Sequence, residues 1–235
     1  MNESARPIIE ITDAARTFHE GGRRRPVLDG ASVRIERGEF VVLLGKSGSG
    51  KTTLLHLIAG IETPDAGTVE VAGRALHAIG DRERTLFRRR HLGIIFQSLN
   101  LIPTLTVREN VELRLELNGL RTPEAIDRAS DLLERVGLGD RGGSSPDVLS
   151  GGEQQRVAIA AALVHRPEII LADEPTGNLD SARGAEIVSL LDTLVRRDGS
   201  TLVMATHSLE MIGVADRVLT IEEGRIVESR DRSDG

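Results

Sequence analysis

The stretch GKSGSGKTT, at residues 45–53, has the residue types and spacing of a phosphate-binding loop. Gly45, Gly48 and Gly50 allow backbone amides to close around phosphate oxygens at the positive end of the helix that follows. Lys51 supplies a positive charge for the β- and γ-phosphates, and Thr52 offers a hydroxyl to Mg²⁺. A glycine-rich linker is the plain alternative. Because a strand-like run precedes the stretch and a helical pattern follows it, the sequence predicts a nucleotide site.

An acidic pair suited to hydrolysis follows a second apolar run, EIILADEP. Asp173 falls at the end of a predicted strand, where it is able to hold Mg²⁺ through water. Glu174 comes next, with a carboxylate available to act on a nucleophilic water. Adjacent strand residues point to opposite faces, but the strand ends here, so we expect both carboxylates to face the site. The alternative is an ordinary polar strand end.

A second glycine motif, LSGGEQQR at residues 149–156, opens another helix far along the chain. Ser150, Gly151 and Gly152 lie where a helix N-terminus binds an anion, although an ordinary N-cap is the alternative. This helix follows a separate lobe, so the two motifs of one chain need not meet on one phosphate. If two chains stack head to tail, one ATP is held by the loop of one chain and the Ser-Gly-Gly of the other. The sequence thus predicts a homodimer in the ATP-bound state.

The elements that must position these residues alternate between strand and helix. The strand-type runs PIIEIT, ASVRIE, EFVVLLG and TVEVAG come first, and EIILAD, TLVMAT, RVLTIE and RIVES come after residue 163. Between them the pattern is helical, with Ile126, Ala129, Leu132, Leu133 and Val136 on one stripe. We therefore expect an α/β fold with a mostly parallel core sheet, a small antiparallel β subdomain and an inserted helical lobe at about residues 97–157. We expect the domain to span residues 1–230 and residues 231–235 to form a disordered tail.

Composition narrows the class of protein. The 235 residues include no cysteine, which excludes disulfides, zinc ribbons and thiol catalysis. A formal charge of −6 gives no general reason to expect nucleic-acid binding. A local basic run is read as a solvated helix face; it comprises Arg82, Arg84, Arg88, Arg89 and Arg90. No window approaches a membrane span, so we expect a cytoplasmic chain.

From residue 8 to residue 227, the chain resembles the ATP-binding subunits of ATP-binding-cassette (ABC) transporters. LSGGEQQR is similar to the family signature, EIILADE to its Walker B strand, and GNLD, ending at Asp180, to its D-loop. The resemblance implies that Gln97 in IIFQ senses Mg²⁺ and contacts a membrane partner, and that His207 in ATHS lies near the γ-phosphate. Phe18 in ARTFHE matches the aromatic that stacks on adenine, where tyrosine is common. Ala161 departs from the family pattern, which has an arginine there.

The motifs and the resemblance together define the predicted site. The predicted catalytic residues are Glu174, His207, Gln97 and Lys51. The predicted metal ligands are Thr52, Gln97 and Asp173. The predicted nucleotide-contacting residues are Phe18, Gly45, Lys46, Ser47, Gly48, Ser49, Gly50, Lys51, Thr52, Thr53, Ser150, Gly151, Gly152, Glu153 and Asp180. The predicted cofactors are ATP and Mg²⁺.

Within the family, FRRRHLGIIFQSLNLIPTLTVRENVEL and ADEPTGNLDS are most similar to ATPases of lipoprotein release, macrolide export and cell division. The first interpretation is an ATPase that powers a separate transmembrane permease moving lipoprotein, lipid, peptide or drug. The second is a signalling subunit whose closure acts on a cell-division or cell-wall-hydrolase-regulating membrane partner without transport. A third, a soluble ABC ATPase of DNA repair or translation, is disfavoured, because there is one motif set, no cysteine and no room for a long coiled-coil insertion. Either of the first two places the chain on the inner face of the cell membrane through its partner.

Overall fold

The computed structural model describes residues 6–177, 179–208 and 213–231. The chain divides into two compact units, one formed by residues 1–88 and 201–235 and the other by residues 89–200. Each helix within the described ranges is too short or too polar to cross a lipid bilayer. The predicted disordered tail lies, apart from Asp231, outside the described residues.

The first unit contains an antiparallel sheet with the strand order β2-β1-β4-β5. Its strands are β1 (Ile9–Glu20), β2 (Arg23–Ile35), β4 (Ala66–Val71) and β5 (Arg74–Ala75). Buried and exposed residues alternate from Ala31 to Ile35, which is the pattern of a sheet with one face packed on a core. The central strand β1 pairs with β2 and β4, and irregularities in its register on the β2 side occur around Arg16. These irregularities locally change the direction of side chains just before Phe18.

The first unit also contains buried parallel strands that lead into the phosphate-binding loop. Strand β3 (Phe40–Leu44) lies between β8 (Thr201–Thr206) and β9 (Arg217–Glu222) and is parallel to both, while β10 (Arg225–Asp231) is antiparallel to β9. Every residue of β3 and β8 is buried, as expected for strands covered on both faces. Two helices belong to this part of the chain, α1 (Lys51–Ile58) and α2 (Asp81–His91), the second of which runs past the boundary of the unit.

The second unit combines a parallel strand pair with four helices. Strands β6 (Leu92–Ile95) and β7 (Ile169–Asp173) pair in parallel. The helices are α3 (Val107–Leu117), α4 (Pro123–Arg135), α5 (Gly151–Leu163) and α6 (Ser181–Asp198). Helices α3 and α4 precede α5 and come between β6 and β7 in the chain.

The helix boundaries of the second unit follow from capping residues in the sequence. Thr106 and Ser150 each form a capping box with the glutamate three residues later, at the starts of α3 and α5. Thr122 and Asp180 cap α4 and α6. Helix α6 ends at Gly199, whose φ of 69° is a left-handed conformation that glycine adopts without strain.

Two expectations about helix faces need correction. Ile126 was expected on the buried stripe of α4, but 48% of it is exposed, and the buried stripe begins at Ala129. The arginine run on α2 is less solvated than expected. Arg84 pairs with Asp81, and Arg88 donates to the carbonyl of Gly60 at 2.8 Å. Both arginines therefore contribute to local structure.

The fold class is confirmed. The structure has parallel core strands and a separate antiparallel sheet. Along the chain, helices precede β6, lie between β6 and β7, and follow β7.

Candidate nucleotide-binding and hydrolysis site

The predicted site residues divide between the two units. The first unit carries Phe18, the phosphate-binding loop of residues 45–53 and His207, and the second carries Gln97, the Ser150 motif, the Asp173–Glu174 pair and Asp180. Each set is described within its own unit.

The phosphate-binding loop joins the buried strand β3 to helix α1. Gly50 is the N-cap of α1 and has a φ of 109°, a conformation that strains other residues. A Cβ at Gly50 would lie 3.0 Å from the backbone oxygen of Val27 and 3.1 Å from side-chain atoms of Val27 and Leu28. The glycine therefore allows the loop to pass close to strand β2.

The N-terminus of α1 has no side-chain cap. Its N-cap residue, Gly50, offers no side chain for a capping hydrogen bond, and its first turn contains no acidic residue. Helices α3, α4, α5 and α6, in contrast, are each capped by a threonine, serine or aspartate. The first amides of an α-helix have no partner within the helix, so this helix start has amides available for an external anion.

Lys51 is held at the mouth of the same loop. It is only 7% exposed, and its Nζ donates to the carbonyls of Gly45 at 2.7 Å and Lys46 at 3.3 Å. Thr52, the next residue, is exposed, and Thr53 is half-buried. The loop thus places an ammonium group and an exposed hydroxyl beside the uncapped helix start.

Phe18 lies on a strand of the antiparallel sheet of the first unit, and His207 follows a strand of the other sheet. Phe18 is half-buried on β1 and pairs with Arg25 on β2. His207 is exposed and directly follows β8, whose last residue, Thr206, pairs with Leu44 at the end of β3. The phosphate-binding loop and His207 therefore leave the sheet at the same edge.

Arg25 is a site residue that the sequence analysis missed. A Cβ at Gly48 would lie 3.1 Å from Arg25 Nη2, so the guanidinium reaches the turn of the phosphate-binding loop. The signal in the sequence was the basic run of residues 23–25 in the β1–β2 hairpin, and strand pairing was needed to show which arginine reaches the loop.

The acidic pair lies where β7 ends. Asp173 is the last residue of the strand, and its Oδ1 is buried with no hydrogen-bond partner among the described residues. Glu174 has a φ of 46°, a left-handed conformation that costs a residue with a side chain about 1–3 kcal/mol. This conformation ends the alternation of the strand, which is the backbone change needed for adjacent carboxylates to face one site.

Gln97 lies close to Glu174 within the second unit. A Cβ at Gly177 would be 3.5 Å from Gln97 Nε2 and 3.6 Å from Glu174 Cβ. The amide of Gly177 also donates to the carbonyl of Glu174 at 3.1 Å. The absence of a side chain at Gly177 thus leaves room for the glutamine and the glutamate on either side of this turn.

The Ser150 motif forms a complete capping box. Ser150 Oγ donates to Glu153 Oε2 at 2.7 Å, and the backbone amide of Ser150 donates to the same oxygen at 2.8 Å. These hydrogen bonds hold the pKa of the Glu153 carboxyl below its usual range. Gly151 and Gly152 have open space where a side chain would be. Asp180 similarly acts as an N-cap, because its Oδ1 accepts from the amide of Arg183 at 3.0 Å.

Comparisons with known proteins agree on one family. Residues 28–177 match the ABC transporter family. The chain is 53% identical to the ABC transporter ATP-binding protein Rv0986 of Mycobacterium tuberculosis, over 96% of the chain and 91% of the relative. It is 42% identical to the lipoprotein-releasing system ATP-binding protein LolD of Zymomonas mobilis, over 94% of the chain and 95% of LolD.

A solved structure supports the same assignment. The dimeric post-hydrolysis state of the ATP-binding cassette MJ0796, bound to ADP and Pi, matches with a TM-score of 0.87 and 38% identity, over 95% of this chain and 99% of that one. The predicted family and the predicted ATPase class are thus confirmed. Because the match covers the phosphate-binding loop, the Ser150 motif and the acidic pair, and the relatives align with nearly the whole chain, the protein belongs to the ABC transporter family as an ATP-hydrolysing, ATP-binding subunit.

Proposed function

We propose that the protein hydrolyses Mg²⁺-bound ATP as a homodimer and thereby powers a separate membrane permease that exports or releases a lipoprotein, lipid, peptide or drug. The observation that supports the nucleotide site most directly is the uncapped start of α1 beside Lys51. Backbone amides and an ammonium group together match the oxygens and the charge of the β- and γ-phosphates.

The described side chains suit the proposed metal. Within the part of the chain that the structure describes, Asp173 Oδ1 is buried without a hydrogen bond, and a buried carboxylate oxygen favours a cation or its bound water as a partner. Thr52 presents an exposed hydroxyl, and Gln97 supplies an amide oxygen. We assign the Mg²⁺ to Thr52, Gln97 and Asp173. When bound, the ion neutralises charge on the phosphate oxygens.

Glu174 is the proposed general base. Its carboxylate would orient and deprotonate the attacking water, and Gln97 beside it contributes a second polar group. His207 would contact the γ-phosphate from the edge where the phosphate-binding loop also leaves the sheet. Phe18 would stack on the adenine base, and Lys51 would stabilise charge as the terminal phosphate leaves.

The proposed class of partner is supported by one relative and by a surface groove. LolD is named for lipoprotein release, which favours transport over the signalling alternative. In the second unit, a groove of about 470 Å³ is lined by Gln97 and by residues that include Leu101, Asp147 and Gln154. A permease segment seated in this groove would contact Gln97, and so link the membrane partner to the hydrolysis site. We accordingly place the chain peripherally on the inner face of the cell membrane.

The test is the Glu174→Gln substitution. The amide keeps the shape but loses the base, so ATP binding should be retained while turnover falls by about 10²- to 10⁴-fold. Glu186→Gln is the matched control, because Glu186 lies exposed on α6 in the same unit, where its ion pair with Arg156 is a long 3.5 Å. We expect the control to hydrolyse ATP at the wild-type rate. A Glu174→Gln protein that keeps turnover within about threefold of wild type would exclude the proposed base.

The partner is tested separately by copurification from membranes. The Glu174→Gln protein, saturated with ATP, should be recovered with an integral membrane protein that has an extracytoplasmic domain. Recovery of the chain without any membrane protein would contradict the proposed coupling and leave the ATPase assignment intact.

A further inference from the structure

Arg16 covers one face of the Phe18 ring. Its Cζ lies 5.0 Å from the ring centroid, within the range of a cation–π contact. Both residues lie on β1, and the Arg16 side chain is 22% exposed. Because the guanidinium occupies this face of the ring, a stacking base would have to use the opposite face.

Two carboxylates hold the guanidinium in this position. Arg16 Nη2 donates to Glu62 Oε2 at 2.5 Å, and Arg16 Nη1 donates to Asp65 Oδ1 at 2.8 Å. Asp65 also accepts from the amide of Thr17 at 2.7 Å, and its own amide donates to the carbonyl of Ala15 at 2.8 Å. The segment that carries Glu62 and Asp65 is therefore bonded to three successive residues of β1.

This segment directly follows the helix that begins at the phosphate-binding loop. Helix α1 starts at Lys51 and ends at Ile58, and Glu62 comes four residues after its end. The amides of Ile61 and Glu62 donate to the carbonyl of His56 at 2.9 and 3.2 Å, so the turn after the helix is itself fixed. A continuous set of contacts thus joins the phosphate-binding helix to the Phe18 ring.

The ring needs such an external restraint. Phenylalanine has no hydroxyl, so no hydrogen bond fixes the tilt of the ring. Two of the three guanidinium nitrogens are anchored by carboxylates, while Arg16 Nε is buried without a hydrogen-bond partner among the described residues. The two anchored nitrogens hold the guanidinium carbon over the ring. A guanidinium plane anchored in this way is well suited to stack on an aromatic ring.

We infer that Arg16, anchored by Glu62 and Asp65, is a positioning residue that fixes the Phe18 ring for stacking on the base of the bound nucleotide. The inference rests on the proposed function, in which Phe18 contacts adenine. Arg16 acts through the ring and through the segment after α1, so it sets the distance between the base-stacking surface and the phosphate-binding loop.

The inference is tested with ADP, which carries the base, and with pyrophosphate, which does not. Arg16→Met keeps the length of the side chain and removes its charge, and it should weaken ADP binding about two- to fivefold, the range of an exposed cation–π contact. Pyrophosphate binding should not change. Arg16→Lys should restore ADP affinity in part. Arg34→Met is the matched control, because Arg34 makes a comparable ion pair, 2.8 Å to Glu10, on the same antiparallel sheet.

A double-mutant cycle identifies the route of the effect. In a Phe18→Ala protein, which should itself bind ADP more weakly, Arg16→Met should cause no further loss. Equal weakening of ADP and pyrophosphate by Arg16→Met would show that Arg16 acts on the phosphate loop alone, and would overturn the inference. Additive losses in the cycle, or no loss from Arg16→Met, would also overturn it.

Failure of the proposed function has a different signature. If wild-type protein binds neither ADP nor pyrophosphate, the nucleotide site itself is wrong. If Phe18→Ala leaves ADP affinity unchanged, the ring is not the base-stacking surface and the role of Arg16 falls with it. A weakened Phe18→Ala protein with a normal Arg16→Met protein refutes only the positioning role.

Discussion

Acidification should destabilise the protein through one buried histidine. His165, between α5 and β7, is 8% exposed, and its Nε2 lies 3.1 Å from the carbonyl of Leu92. Its Nδ1 is buried without a hydrogen-bond partner among the described residues. Burial, together with the positive charges of Arg114 and Arg128, lowers the pKa of His165 from 6.5 to about 4, while the bond to Leu92 opposes the shift. The native state therefore keeps this imidazole neutral.

The sign and size of the effect follow from proton linkage. Between about pH 6.5 and pH 4 the unfolded chain binds a proton at His165 that the folded chain does not, so the free energy of unfolding falls as the pH falls. With these two pKa values, the loss from about pH 7.5 to about pH 5 is about 2 kcal/mol. Below about pH 4 both states are protonated and this contribution stops changing.

The assay compares urea unfolding of the wild-type protein and a His165→Gln variant at the two pH values. Glutamine keeps an N–H donor near the position of Nε2 but does not titrate. The variant should therefore not lose the part of the unfolding free energy that protonation of His165 removes from the wild-type protein at low pH. The stability difference between the two proteins should change by about 2 kcal/mol between the pH values. A change below about 0.5 kcal/mol would refute the reasoning. His19→Gln is the control, because His19 is exposed and its removal should leave the difference unchanged.

Two further substitutions test the local structure around the site. Gly50→Ala places a Cβ 3.0 Å from the Val27 carbonyl oxygen, on a backbone with a φ of 109°. We therefore expect ATP affinity to fall by at least about tenfold. The control is Gly80→Ala, which should bind ATP normally, because a Cβ at Gly80 meets nothing within 4 Å. Thr106→Ala removes the capping box of α3 and should lower the free energy of unfolding by about 1 kcal/mol in urea, whereas an unchanged urea midpoint would show that the cap contributes nothing.

Local motifs made much of the fold and site predictable. The phosphate-binding loop is specified by glycine spacing between an apolar run and a helical pattern, so its placement between β3 and α1 followed from sequence. Ser150 was predicted to lie at a helix N-terminus, and the structure shows it as the N-cap of α5, in a capping box with Glu153. In both cases, residues a few positions apart determine the structure.

Features that depend on tertiary contacts were not predictable. The left-handed backbone of Glu174 accompanies a turn in which the amide of Gly177 donates to the Glu174 carbonyl, and the residue type at 174 does not signal it. Arg16 and Glu62 are separated by 46 residues, so only the folded chain shows that they meet beside Phe18. Ile126 fits the helical period of the apolar residues in α4. Periodicity does not show where along a helix the packing against its neighbours begins, and the first turn, which carries Ile126, lies outside the packed part.

We propose that the second glycine motif, which begins at Ser150, acts on ATP held by the other chain's phosphate-binding loop. Substitutions at Ser150 and Lys51 together test this proposal. Ser150→Arg should block this contact with a bulky charge, and Lys51→Ala should weaken nucleotide binding. Each homodimer then has two defective sites. Because Ser150→Arg also removes a helix cap, Thr106→Arg is the control: it removes the equivalent cap of α3 and should leave turnover intact.

Mixing the Lys51→Ala and Ser150→Arg chains separates action within a chain from action between chains. If Ser150 acts on the partner's nucleotide, the mixed dimer concentrates both defects in one composite site and leaves the other composite site with both wild-type motifs. The mixture should then hydrolyse ATP, which neither homodimer does, or trap nucleotide at one site per dimer if the two sites are strictly coupled. If Ser150 acts within its own chain, each chain of the mixed dimer still carries a defective site. Mixed dimers that form but show neither activity nor trapping at one site would therefore refute the proposal that Ser150 acts on the partner's nucleotide.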